Sequence, residues 1–121
     1  MNTTPRTNGP GQRLLAEYLG VDDPMAALAD RHPPGDRLHR LARALRQTAA
    51  ELDGHYAASL QLQERLERLR CGPTNPGRLA ESDKDVWQLA LMVELAVERC
   101  DLTDTALVRL LAAYRELTPT A

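Results

Sequence analysis

The residues of this chain whose types and spacing could do chemistry are few. Glu51 and His55 stand four apart on one helix face, and Glu94 and Glu98 stand four apart on another. Carboxylate-bridged metal centres in helical bundles take Glu and His from facing helices, usually with a Glu–His pair at i, i+3. Here the spacing is i, i+4 and one such pair is present, so no metal site is expected. His55 reads instead as a polar seam residue or a partner for Glu51. Cys71 opens a Gly/Pro-rich run, and nothing places a histidine near it, whereas Cys–His catalysis needs the two in contact and the thiol activated. The chain has no glycine-rich phosphate loop, no Cys-x-x-Cys and no His-Glu-x-x-His. No catalytic residue, cofactor or small-molecule substrate is therefore expected, and the reading is non-enzymatic.

Charge offers more. Arg31, His32, Arg37, His39, Arg40, Arg43 and Arg46 crowd one region, and Glu81, Asp83, Asp85, Glu94, Glu98, Asp101 and Asp104 give the opposite balance later. A basic cluster can serve phosphates or an acidic partner. It can equally face the acidic helix within the fold or across a dimer, and the arginines at steps of three spread round a helix instead of lining one stripe. A net charge of −2 gives no global attraction to nucleic acid or anionic membrane.

The elements that must position these residues are helical. Leu38, Leu41, Leu45, Leu52, Leu62, Leu66 and Leu69 alternate in steps of three and four, a frame that also passes through Thr48, His55 and Ser59. That pattern predicts a long spine helix over about 36–70 with a polar middle to its seam. Asp53-Gly54 is the one place where it would bend. At about 1.5 Å per residue it reaches roughly 50 Å, and several shorter helices are expected to line up along it.

Residues 1–11 read as a mobile tail ahead of a single helical domain over 12–118. Its remaining helices are expected at about 12–19, stopped at Gly20; 24–31, opened by Asp22-Asp23-Pro24; 83–100, capped by Ser82; and 104–117, capped by Thr103. The clearest break is Cys71 to Gly77, with two prolines and two glycines. The helix from Val86 is apolar on two sides. One stripe is Val86, Leu89, Val93, Val97 and Cys100; the other is Trp87, Leu91 and Leu95, with Met92 between. The fold class is all-α, an antiparallel helical bundle built on the spine helix.

Composition agrees. With 43% apolar and 26% charged residues and a length of 121, the chain reads as one globular domain. It has no Phe and no Ile, so Leu, Ala and Val must make the core. Lys84 is the only lysine, as a GC-rich codon bias would give. Met1 to Gln12 carries no apolar region of signal-peptide type, and the nearly apolar run Val86 to Val97 is far short of the roughly twenty residues that span a bilayer. Two cysteines make no disulfide framework. A cytoplasmic protein is expected, with no membrane partner.

Two stretches resemble a known family. Leu14-Leu15-Ala16-Glu17-Tyr18-Leu19-Gly20-Val21-Asp22 resembles the closing helix and turn of lambda-repressor-like (XRE-type) helix-turn-helix regulators, and Glu94 through Asp101-Leu102-Thr103 to Leu111 is similar to the helix-turn-helix or C-terminal helices of actinobacterial members. The resemblance implies packing roles for Leu15, Ala16, Leu19 and Val21, and a regulatory role in transcription. In it Asp101 stands where Gly is usual, and the second helix carries Asp104 and Glu116 beside only Arg109 and Arg115.

Two functions follow as expectations. The first is a helical interaction or regulatory protein that binds another macromolecule, as a homodimer or on an unidentified protein, through Trp87, Leu91, Met92 and Leu95. The alternative is a DNA-binding regulator using a helix-turn-helix-like unit at about 87–117, with Arg37, Arg40, Arg43, Arg46, Arg109 and Arg115 contacting nucleic acid.

Overall fold

The computed structural model describes residues 9–71 and 79–118, and every regular element among them is a helix. These are α1 (Pro10–Leu19), α2 (Pro24–Asp30), α3 (Arg37–Cys71) and α4 (Leu79–Leu117). The molecule is an all-α bundle with α3 as its spine. At 1.5 Å per residue α3 is about 52 Å long and α4 about 58 Å. Arg68 and Leu69 of α3 line a cleft with Leu89 of α4, whereas Tyr114 bonds His32 just ahead of α3, so the two run antiparallel.

The spine follows its three-and-four frame. Leu45, Leu52, Ser59 and Leu66, seven apart, are all buried, with Ala42 and Ala49 beside them at the end that α1 and α2 cover. The helix runs unbroken through Asp53 and Gly54.

The single α4 is the main departure from the expected elements. A break at Asp101–Thr103 and a start at Asp83 were expected, and the helix instead runs from Leu79 to Leu117. Two causes are visible. Its inward positions Val86, Leu89, Val93, Ala96, Cys100, Thr103, Leu107, Leu110 and Tyr114 keep one three-and-four frame, so the whole length can pack on α3. The Asp101 carbonyl is also engaged from within the helix. Thr105 turns its hydroxyl back to donate to the Asp101 carbonyl at 3.0 Å, a bond that suits a helix interior. Ala96, not Val97, points into the seam, and Val97 is exposed. Ser82, expected as a cap, lies inside the helix. The spine is thus matched by one long partner in place of several short ones.

The first two helices close one end. Asp23 accepts a bond from the Ala26 N–H at 3.2 Å and so caps α2 with its side chain. Gly20 ends α1 at φ 68°, the left-handed conformation that glycine adopts without strain, and returns its N–H to the Ala16 carbonyl at 2.8 Å. The start of α1 corrects the tail expected over 1–11. Pro10 and Gly11 are already helical, and Gly11 is buried against α3. A Cβ at Gly11 would run into the Ala49 carbonyl, so only glycine lets the two backbones come this close. The Gly11 N–H, an orphan donor in the first turn, donates to Asp53 Oδ1 at 2.7 Å. Asp53 therefore caps a helix other than its own. The expected tail 1–8 and the break over 72–77 lie outside the described residues.

One core results, from Leu15, Leu28, Ala42, Leu45, Ala49, Leu52, Leu107, Leu111 and Tyr114. The Tyr114 hydroxyl and His32 Nε2 are 2.7 Å apart, a hydrogen bond whichever of them donates. The two rings meet edge to face at 5.6 Å, which ties the α2–α3 connection to α4. No helix among the described residues is long and apolar enough to cross a membrane.

Candidate functional site: the uncovered half of the α3–α4 hairpin

Beyond Tyr56 on α3 and before Cys100 on α4, no third helix among the described residues covers the pair. Of the side chains described there, Ser59, Leu66, Leu89 and Ala96 are buried. Leu62, Val86 and Val93 are half-buried, and the larger apolar side chains of the outer side of α4 are exposed. Trp87 is 68% exposed, Leu95 51%, Met92 47% and Leu91 44%. These are the four residues expected to form a protein interface, and α4 carries them together on its side away from the seam. At about 100° per residue, Trp87, Leu91 and Leu95 form one ridge and Met92 stands on its flank nearest α3.

Leu102 prolongs the ridge and is 66% exposed. The sequence reading missed it because it took Leu102 for part of a turn. Its signal was the series Leu91, Leu95, Glu98, Leu102, which keeps one frame only if the helix continues.

Two clefts follow the Met92 flank between α3 and α4. The first, about 590 Å³, is lined by Arg65, Arg68, Leu69, Asp85, Gln88, Leu89 and Met92. The second, about 200 Å³, is lined by His55, Ala58, Leu62, Met92, Leu95, Ala96 and Arg99. Met92 belongs to both, so they form one groove with an apolar floor. Its ionic rim is basic apart from Asp85. His55, expected as a seam residue or partner of Glu51, is half-buried on the wall of this groove.

Of the six arginines expected to contact nucleic acid, four lie in the first part of α3 and two in the last part of α4. Arg37, Arg40 and Arg43 are exposed near the start of α3, and each step of three turns them about 60° further round the helix. Arg46 is half-buried, and its Nε is buried with no hydrogen-bond partner. Arg109 and Arg115 are exposed on α4, where Arg115 lies over the Tyr18 ring at 6.0 Å. A further cleft of about 610 Å³ at that end is lined by Arg31, Arg115, Tyr18 and Glu17 over Leu14 and Leu111. The unit at 87–117 contains no turn, since α4 is continuous through it. A helix-turn-helix cannot be formed there without breaking α4.

Thiol chemistry finds little help. Burial raises the pKa of Cys100, and Asp101 adds to the rise, against a hydrogen bond with Ser59 that lowers it. The thiol is thus held in its protonated, weakly nucleophilic form at neutral pH. Among the described residues no group of three or more His, Cys, Asp or Glu side chains is arranged to hold a metal ion.

Fold and surface together define a class, an all-α bundle with four helices at one end and a two-helix extension with an apolar outer face. Compared with family models, with curated proteins and with solved structures, the chain matches none.

Proposed function

We propose that this chain is a non-enzymatic helical interaction or regulatory protein of the cytoplasm that works by binding another macromolecule, as a homodimer. The observation that carries this reading is the exposure of Trp87, Leu91, Met92 and Leu95 on one side of α4, along a stretch that no third helix among the described residues covers. A contiguous apolar patch on an otherwise polar surface marks an interaction site, and Trp with large aliphatic neighbours is the usual make-up of an interface centre. The polar residues that flank the patch, among them Glu94, Glu98 and Arg99, suit a rim that stays wet.

The test is mass in solution. Sedimentation of the wild-type chain is expected to give a dimer at micromolar concentration, and Leu91→Glu to give a monomer of unchanged helix content by circular dichroism. A folded Leu91→Glu variant with wild-type mass would end the proposal. In a parallel titration against mixed DNA fragments, binding that falls steeply with salt and survives competitor DNA would replace it with a DNA-binding reading on the arginines.

A further inference from the structure

The groove at Met92 has a symmetry that the ridge alone lacks. Asp85 and Arg99 each lie seven residues from Met92, one on either side, and all three line the same groove. Seven residues are about 10.5 Å along a helix and return to within about 20° of the starting direction. Asp85, Met92 and Arg99 therefore form a line along the flank of α4, with opposite charges at equal distances from its centre.

We infer that the groove is filled by α4 of a second copy of this chain, running antiparallel about a two-fold axis at Met92. Rotation about that axis sets Asp85 of each copy against Arg99 of the other and brings the two Met92 side chains together. The inference rests on the homodimer proposed above and assigns its geometry. It centres the interface on Met92 and Leu95, which line the groove, and leaves Trp87, about 140° round α4 from Met92, outside the contact.

The α3 wall meets the same occupant with Arg65, Arg68 and Leu69, which line the groove beside Asp85 and Leu89. Arg68 shares that lining with Asp85 and Gln88, and the two-fold sets Glu98 of the second copy level with Val86, so Glu98 comes to the level of Arg68. Leu95 of the second copy then faces the apolar wall at Leu62 and Leu69. A parallel arrangement would instead stack Asp85 on Asp85 and Arg99 on Arg99. A two-fold contact must be self-complementary, and a line with an acid at one end and a base at the other meets that condition only when antiparallel. The product is a four-helix bundle over the half of the hairpin that has two helices in the monomer.

A charge-swap series read by sedimentation equilibrium tests the geometry. Asp85→Arg and Arg99→Asp each place like charges together twice per dimer, and each is expected to weaken self-association about tenfold or more at low salt. Combining them restores the pairs with sign reversed and is expected to bring the dissociation constant back to near wild type. Single reversals without effect, or a double variant weaker than either single one, would overturn the inference. Met92→Cys, in a Cys71→Ser, Cys100→Ala background, adds a second reading. It is expected to form a disulfide-linked dimer on mild oxidation, because the two-fold brings both copies of position 92 within the roughly 7 Å a disulfide needs. Crosslinking no faster than that of Glu94→Cys in the same background would also overturn it. A wild-type chain that stays monomeric removes both readings, whereas a dimer broken by Leu91→Glu but indifferent to charge removes only this one.

Discussion

The two ends of the α3–α4 pair are built from the same pattern and meet opposite fates. At one end Leu45 and Leu52 of α3 are completely or nearly completely buried, with α1 and α2 closing over them. At the other end Leu66 and Leu89 still close the seam, but Leu69 is 39% exposed, and Leu91 and Leu95 of the facing helix stand further out. The spacing of apolar residues fixes which side of a helix turns inward, but two helices alone bury only a line of contact. A third and a fourth are needed to bury a face. The difference therefore separates a closed core from an apolar surface left open.

The largest expected effect tests that separation directly. Leu45→Ala and Leu107→Ala each open a cavity in a closed core and are expected to cost about 2–5 kcal/mol in urea denaturation. Leu66→Ala and Leu89→Ala sit on a seam open to solvent on both sides, where the surroundings can relax, and are expected to cost less than half as much in dilute monomer. Equal losses at both ends would mean that the hairpin is closed in solution as tightly as the bundle. That result would point to a cover over the apolar ridge that the isolated chain does not show.

A smaller effect should separate α1 from the hairpin. Gly11→Ala puts a methyl group against the Ala49 carbonyl, a backbone atom that cannot swing aside, so α1 must lift from α3. A cost of about 1–3 kcal/mol is expected, as for overpacking elsewhere. Asp53→Ala removes the acceptor of the Gly11 N–H and is expected to cost about 1–2 kcal/mol. The two changes act on one contact, so the double variant should cost less than their sum. Hydrogen exchange should speed up over α1 in each variant while the outer hairpin stays unchanged. Faster exchange in the outer hairpin as well would show that the two ends unfold as one unit.

What was legible in the sequence follows the same division. The all-α class, the spine helix, its buried frame at Leu45, Leu52, Ser59 and Leu66, and the exposed side at Trp87, Leu91, Met92 and Leu95 are periodic features, and periodicity is carried by the residues themselves. The stop of α1 at Gly20 and the start of α2 at Asp23-Pro24 were legible too, but the start of α1 and the ends within α4 were not. Asp101-Leu102-Thr103 reads as a helix stop and restart because Asp and Thr are good caps. Packing along α3 overrode that local preference, and Thr105 spent its hydroxyl inside the helix. The docking of Pro10 and Gly11 was hidden because its partner, Asp53, is 42 residues away. The groove at Met92 needed the α3–α4 register before Asp85, Arg65 and Arg99 could be seen to share it. Of the expected site residues, the exposure and common side of those on one helix could be read from spacing. Those that depend on two elements, the arginines above all, needed the fold.

The smallest expected effect asks whether the two ends are one rigid body. Gly54 lies where α3 passes from the covered end to the uncovered one, and it is exposed, with no atom within 4 Å of a Cβ built on it. Its φ is not positive, since among the described residues only Gly20 and Gly35 have that conformation. Alanine fits such a position without strain, limits the unfolded chain and has the higher helix propensity. Gly54→Ala is therefore expected to raise stability by about 0.4–1 kcal/mol, measured as a shift in the urea midpoint at unchanged slope. A loss of stability would mean that α3 leaves the helical conformation at Asp53-Gly54 in solution, so that the hairpin swings on the bundle. The gain in stability should come without tighter self-association if the hairpin is already straight when free. Were it to come with tighter self-association, the glycine would be costing the free chain the rigidity that its outer half needs to meet a second copy.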